Sequence, residues 1–199
     1  MTLLSSAMND MSNNVHIYRE LFDTVPNDRF SVLEVNSGEE LQGFAYAAVL
    51  EKPVRLSLKR VLSLLWSRIF VFSEEWDMDG SKDLDRVWEY ALSGNYMNQA
   101  FQRFVTRGRF SSIEPISARK QIRNLMHNLR FDESTKQSRP RRGFSEHCFG
   151  QISSICEFHD RLAGAEFLQA FEITNDWNDV SYFFETPKHF GYFEWGTSA

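Results

Sequence analysis

Cysteine is scarce and no apolar run is long. Two cysteines in 199 residues, Cys148 and Cys156, are too few for a disulfide framework. The most apolar stretch, Leu56 to Phe72, is interrupted by Lys59, Arg60 and Arg68, too many charges for a membrane span of about 20 residues. The first residues, MTLLSSAMNDMSNN, lack the basic start and sustained apolar segment of a secretory signal. No Gly-rich phosphate loop, GxSxG nucleophile motif or HExxH motif occurs. With 5 Pro and 10 Gly the chain is neither collagen-like nor of low complexity. These absences point to a soluble, cytoplasmic protein with no cofactor, no metal and no membrane partner.

What the chain has in quantity is aromatic side chains, 18 Phe, 5 Trp and 6 Tyr, and an uneven distribution of charge. The formal net charge is −5, but the stretch from Arg103 to Arg142 holds 11 basic and 3 acidic residues. From Gly143 onward there are 2 basic and 9 acidic residues, together with 13 of the aromatics. A basic middle segment therefore adjoins an acidic, aromatic C-terminal section. Lys and Arg clusters bind phosphates by releasing counterions, or simply form a solvated face. Carboxylates beside Trp and Tyr are the composition of a protein-binding surface, where aromatics anchor and charges steer.

Apolar spacing at three and four predicts helices over most of the chain. The stripes are Val15–Tyr18–Leu21–Phe22; Leu41–Phe44–Ala45–Ala48–Val49, with Ser37 as N-cap; and Leu58–Val61–Leu62–Leu65–Ile69–Phe72. They continue with Leu84–Val87–Trp88–Ala91, Met97–Ala100–Phe101–Phe104–Val105, and Ala118–Ile122–Leu125–Met126–Leu129 opened by Pro115. The last is Cys148–Ile152–Ile155–Cys156–His159–Leu162, with Phe167, Leu168 and Phe171 following Gly164. On one helix the two cysteines would lie about 12 Å apart, which makes both free thiols. Strand composition is confined to residues 30–35 and to a C-terminal hairpin near 180–195, interrupted by Pro187–Lys188. The expected fold is α+β and predominantly helical: six or seven helices with a small antiparallel sheet joining the chain's two ends. It is expected to be a single domain, 1–199, with the apolar-free segment 132–143 as an exposed loop.

Two short motifs resemble known sites. Glu75, Asp77, Asp79, Gly80 and Asp83 resemble part of an EF-hand calcium loop, but Arg86 stands where the closing Glu belongs. The segment also reads as an acidic turn in which Ser81 or Asp83 caps the next helix. Arg142-Gly-Phe-Ser-Glu-His147 resembles the Arg-x4-His motif of HEPN-type ribonucleases, and Arg141 supplies an x5 version. That resemblance implies an Arg and a His on one continuous helix, with His147 as general acid or base and Arg142 stabilising a pentavalent phosphate. Gly143 after the Arg and Pro140 before it depart from the family pattern. His147, Cys148, Cys156 and His159 do not make a metal site, because three of them share an apolar stripe and His147 points away from it.

Two functional expectations follow. The first is a non-enzymatic protein-binding inhibitor of the antitoxin or immunity type, occluding a partner such as a toxin. Its acidic aromatic surface would comprise Tyr182, Phe184, Glu185, Tyr192, Glu194 and Trp195. The second is a nucleic-acid-binding protein or HEPN-like ribonuclease. It would use Arg119, Lys120, Arg123, Arg139, Arg141 and Arg142 for contact, with Arg142 and His147 as the catalytic pair.

Overall fold

The computed structural model describes residues 25–36, 43–58, 61–62, 64–66, 68–69, 72, 111–129 and 145–197. The chain divides into two units, one of residues 1–27 with 56–108, the other of 28–55 with 109–199. In the first, the described residues between 58 and 72 are helical, and Val61, Leu62, Leu65, Ile69 and Phe72 of the expected stripe are buried. The stripes expected near 15–22, 84–91 and 97–105, the acidic turn at 75–86 and the loop at 132–143 lie outside the described residues.

The second unit is dominated by a seven-stranded antiparallel sheet. Its strands are β1 (Phe30–Asn36), β2 (Gly43–Glu51), β3 (Ser111–Ile113), β4 (Ser145–Phe149), β5 (Gln169–Asp176), β6 (Asp179–Glu185) and β7 (His189–Thr197). They lie in the order β3-β5-β6-β7-β2-β1-β4. Helix α1 (Pro115–Leu129) and helix α2 (Ile155–Gly164) pack on one face. This overturns the expectation of a predominantly helical fold with a small sheet. The stretches expected to be strands are β1 and the β6–β7 hairpin, but they do not pair directly, because β2 lies between β1 and β7.

The largest correction is β2. Leu41, Phe44, Ala45, Ala48 and Val49 have helical spacing, yet residues 43–51 are a strand pairing β1 from Phe30↔Leu50 to Asn36↔Phe44. The reason is burial on both sides. Ala45 and Ala47 face the helices, while Ala48 and Leu50 are buried on the opposite face. A strand covered on both faces loses the alternation that marks it in sequence. The predicted helix over 148–162 is also corrected. Cys148 lies in β4, the chain turns at Gly150 with φ 89°, and only then does α2 begin. A left-handed backbone at that point is open to Gly and strained for other residues. Ser154 caps α2 by accepting a bond from the Glu157 amide at 3.1 Å, while Glu157 accepts from the Ser153 amide at 2.8 Å and hydroxyl at 2.7 Å. Phe167 and Leu168, expected to continue the helix, lead instead into β5.

The core between sheet and helices contains Leu33, Val35, Ala45, Ala47, Tyr182, Phe184 and Phe193 from the strands. Ala118, Ile122 and Met126 of α1 and Ile155, Phe158 and Leu162 of α2 close it. The other sheet face is buried too, with Phe30, Val32, Leu50, Phe183 and Tyr192 among the residues sequestered there. That accounts for the consecutive Tyr182-Phe183-Phe184, which alternation sends to opposite faces and which are all at most 1% exposed. Gly191 makes room for this density: a Cβ there would lie 2.1 Å from Cζ of Phe184, whose ring stacks on Phe167 at 4.4 Å.

Candidate functional site

Strand register gathers a polar row on the sheet face away from α1 and α2. His147 of β4 pairs with Glu34 of β1, Glu34 with Tyr46 of β2, Tyr46 with Glu194 of β7, Glu194 with Ser181 of β6, and Ser181 with Thr174 of β5. The hydroxyl of Tyr46 donates to Glu34 Oε1 at 3.3 Å, and that of Tyr192 donates to Glu194 Oε2 at 2.8 Å. Thr174 Oγ1 lies 2.7 Å from Ser181 Oγ and donates to Asp179 Oδ1 at 3.3 Å. Burial raises the Glu194 carboxyl above the usual carboxylate range, and the Asp179 charge adds to the shift against the opposing Tyr192 bond. Asp179 is raised as well, by burial first and then by the charge of Asp176, with the Thr174 bond opposing. Hydroxyl donors in a partly dry setting are what such carboxylates need to remain in a fold.

The Thr174, Ser181 and Asp179 end of this network anchors the turn between β5 and β6. Residues 176–179 read Asp-Trp-Asn-Asp, and Asp176 and Asp179 face each other across the hairpin mouth. The Thr197 amide donates to the Asn178 carbonyl at 2.9 Å, and Asn175 Nδ2 donates to Glu172 Oε2 at 3.0 Å. From this bonded base Trp177 projects with 79% of its surface exposed, beside the exposed carboxylate Asp176. Sequence reasoning passed over Trp177. The signal was Asn-Asp-Trp-Asn-Asp, turn-forming residues around a large aromatic between two strands.

The C-terminal residues singled out from sequence are placed differently. Tyr182 and Phe184 are buried under the helices, with the Tyr182 hydroxyl donating to Gln121 Oε1. Tyr192 is buried on the opposite face, at 2% exposure. These three are therefore core, not surface, because both sheet faces are covered. Glu185 is held by Lys52 and Gln169. Burial disfavours its charge, but the bonds from Lys52 and Gln169 and the positive charge of Lys52 together hold its carboxyl below the usual range. Glu194 belongs to the polar row, and Trp195 is partly buried against the helical side of the core.

Of the basic residues, Arg119, Lys120 and Arg123 come together on α1, lining an open groove with Ile116, Asn124 and, from α2, His159. Arg139, Arg141 and Arg142 lie outside the described residues. His147 is in the strand β4, not on a helix, so the helical context that the ribonuclease resemblance requires is absent at that residue. Elsewhere a pocket of about 40 Å³, lined by Arg29, Glu51, Phe158, Arg161 and His189 among others, holds space for a few waters at most. Burial holds the His189 imidazole below its usual value, against the pull of Glu51. Among the described residues, no helix is long and apolar enough to cross a membrane. No protein-family model matches the chain, and neither the curated proteins nor the solved structures contain a match.

Proposed function

We propose that the chain is a non-enzymatic protein-binding inhibitor of the antitoxin or immunity type, and that it meets its partner through the β5–β6 turn. The observation that carries this reading is Trp177, 79% exposed on a turn secured by hydrogen bonds. Exposed Trp is the residue most enriched among the dominant contacts of protein interfaces, and a pre-ordered turn loses little entropy on docking. The exposed carboxylate Asp176 beside Trp177 suits a partner with a basic surface, such as a nuclease, where it stands in for a phosphate of the nucleic acid. Free thiols at Cys148 and Cys156 are in keeping with an encounter in the cytoplasm. The surface thus differs from the one read from sequence, while the class of function is retained.

The test is co-purification of the tagged chain with the protein encoded beside it, followed by calorimetry of the pair. Trp177→Ala is expected to weaken binding about 30-fold or more, the scale of a dominant aromatic contact. Asp176→Lys is expected to slow association at low salt, and His147→Ala to leave affinity unchanged. Equal affinities for wild type and Trp177→Ala would remove the turn as the docking site.

A further inference from the structure

We infer that the groove between α1 and α2 binds the phosphate backbone of a single-stranded nucleic acid. The inference does not rest on the Trp177 turn. Helix α1 reads PISARKQIRNLMHNL, without one acidic residue in 15. Ala118, Ile122 and Met126 of that helix are at most 1% exposed and are taken up by the core. The face left outside carries Arg119, Lys120 and Arg123, which lie within five residues and hence a rise of about 6 Å, roughly one helical turn. Lys120 and Arg123 are exposed, and Arg119 is half-buried at the groove wall. Asn124 adds an amide donor, and Ile116, 83% exposed, adds apolar surface at the same groove. Among the described residues no Asp or Glu lines it. The neighbouring Asp160 meets His159 Nδ1 at 3.3 Å and is the acidic group closest to it in the chain.

The chemistry follows from that set. Guanidinium and ammonium groups in a row give charge-assisted bonds to successive phosphate oxygens and release counterions. Ile116 provides an apolar contact for a sugar or a base edge, in the place where single-strand binders commonly set an aromatic ring. A lipid surface is a poorer fit. Amphipathic helices enter membranes through an exposed apolar face, and the apolar face of α1 is already committed to the core.

The test uses the full chain and a 5′-fluorescein 20-nucleotide single-stranded RNA, followed by fluorescence anisotropy between 25 and 200 mM NaCl. Three phosphate contacts predict that log K falls with log salt with a slope of about −2. Lys120→Glu with Arg123→Glu should weaken binding at least tenfold at low salt, with the circular-dichroism melt as the check on folding. If that pair does not fold, Lys120→Gln with Arg123→Gln serves in its place. The charge-conserving pair Lys120→Arg with Arg123→Lys should bind like wild type, as should Trp177→Ala, which separates this groove from the proposed protein-binding turn. The inference is overturned by no binding at 25 mM NaCl, by binding that the charge-removing variants leave unchanged, or by association with phosphatidylserine vesicles in place of RNA.

Discussion

Cys148 shows how position, not residue type, decides chemistry. Its thiol is pushed up to about 12, first by burial, then by the charge of Glu146 and the contact between the two side chains, and then by Glu157. A thiol so shifted is about one part in ten thousand thiolate at pH 8, and the thiolate is the reactive form. Cys148 is therefore expected to resist iodoacetamide at pH 8 in the folded chain and to react once the chain is unfolded in denaturant. Peptide mapping by mass spectrometry separates it from Cys156, and fast native labelling of Cys148 would contradict the placement. The chemistry of Trp177 likewise follows from its place at a hairpin turn. Tyr182, Tyr192 and Trp195 lie inside strands instead, and their exposure depends on the sheet face to which the register assigns each of them.

At the level of elements, α1 was legible and β2 was not, for one physical reason. Helix α1 is amphipathic, with Ala118, Ile122 and Met126 inward and Arg119, Lys120 and Arg123 outward, so its period survives in the sequence. Strand β2 is central and alanine-rich, flanked by β1 and β7, and buried residues occur on both its faces. Its chance helical spacing then outweighed a pattern that had no polar face to reveal it. The close packing beside it can be measured. Gly191→Ala in β7 sets a methyl group 2.1 Å from a ring carbon of Phe184, where backbone and ring cannot both stay in place. The substitution is expected to cost about 1–3 kcal/mol, the usual scale for overpacking a core. The corresponding fall in melting temperature is roughly 2–12 °C for a chain of this size. Adding Phe184→Leu should make the pair less destabilised than the two single costs combined. An unchanged melt for Gly191→Ala would contradict the register that sets Gly191 opposite Phe184.

Over the whole molecule, stability couples to pH through groups that pull in opposite directions. Glu185 is depressed in the fold, so its contribution is present above the ordinary carboxylate value and is lost as pH falls through its folded value. Asp179 and Glu194 are raised, so the fold takes up their protons before the unfolded chain does and gains stability as pH falls toward the ordinary value. Glu194→Gln removes the charge and keeps an oxygen to accept the Tyr192 bond. It is expected to raise the melting temperature at pH 7–8 by a few degrees, equivalent to about 1 kcal/mol. The gain should fade as pH drops to the 4.5 of an unperturbed Glu, because the wild-type carboxyl is then largely protonated as well. A gain that persists unchanged at pH 4 would assign the effect to packing instead.

The sequence by itself determined the helix α1, the strand β1, the β6–β7 hairpin and the grouping of basic residues over 119–123. Each of these carries its own local period or its own neighbours in the chain. It also determined that the C-terminal section is acidic and aromatic. Which of those aromatics meet solvent was decided only by the tertiary structure, because β6 and β7 lie inside the sheet with buried residues on both faces, which withdraws Tyr182, Phe184 and Tyr192 and leaves Trp177 outside. The polar row from His147 to Thr174 was likewise invisible beforehand. Its six members come from six strands, and only hydrogen-bonded register brings residues so distant in sequence into one line.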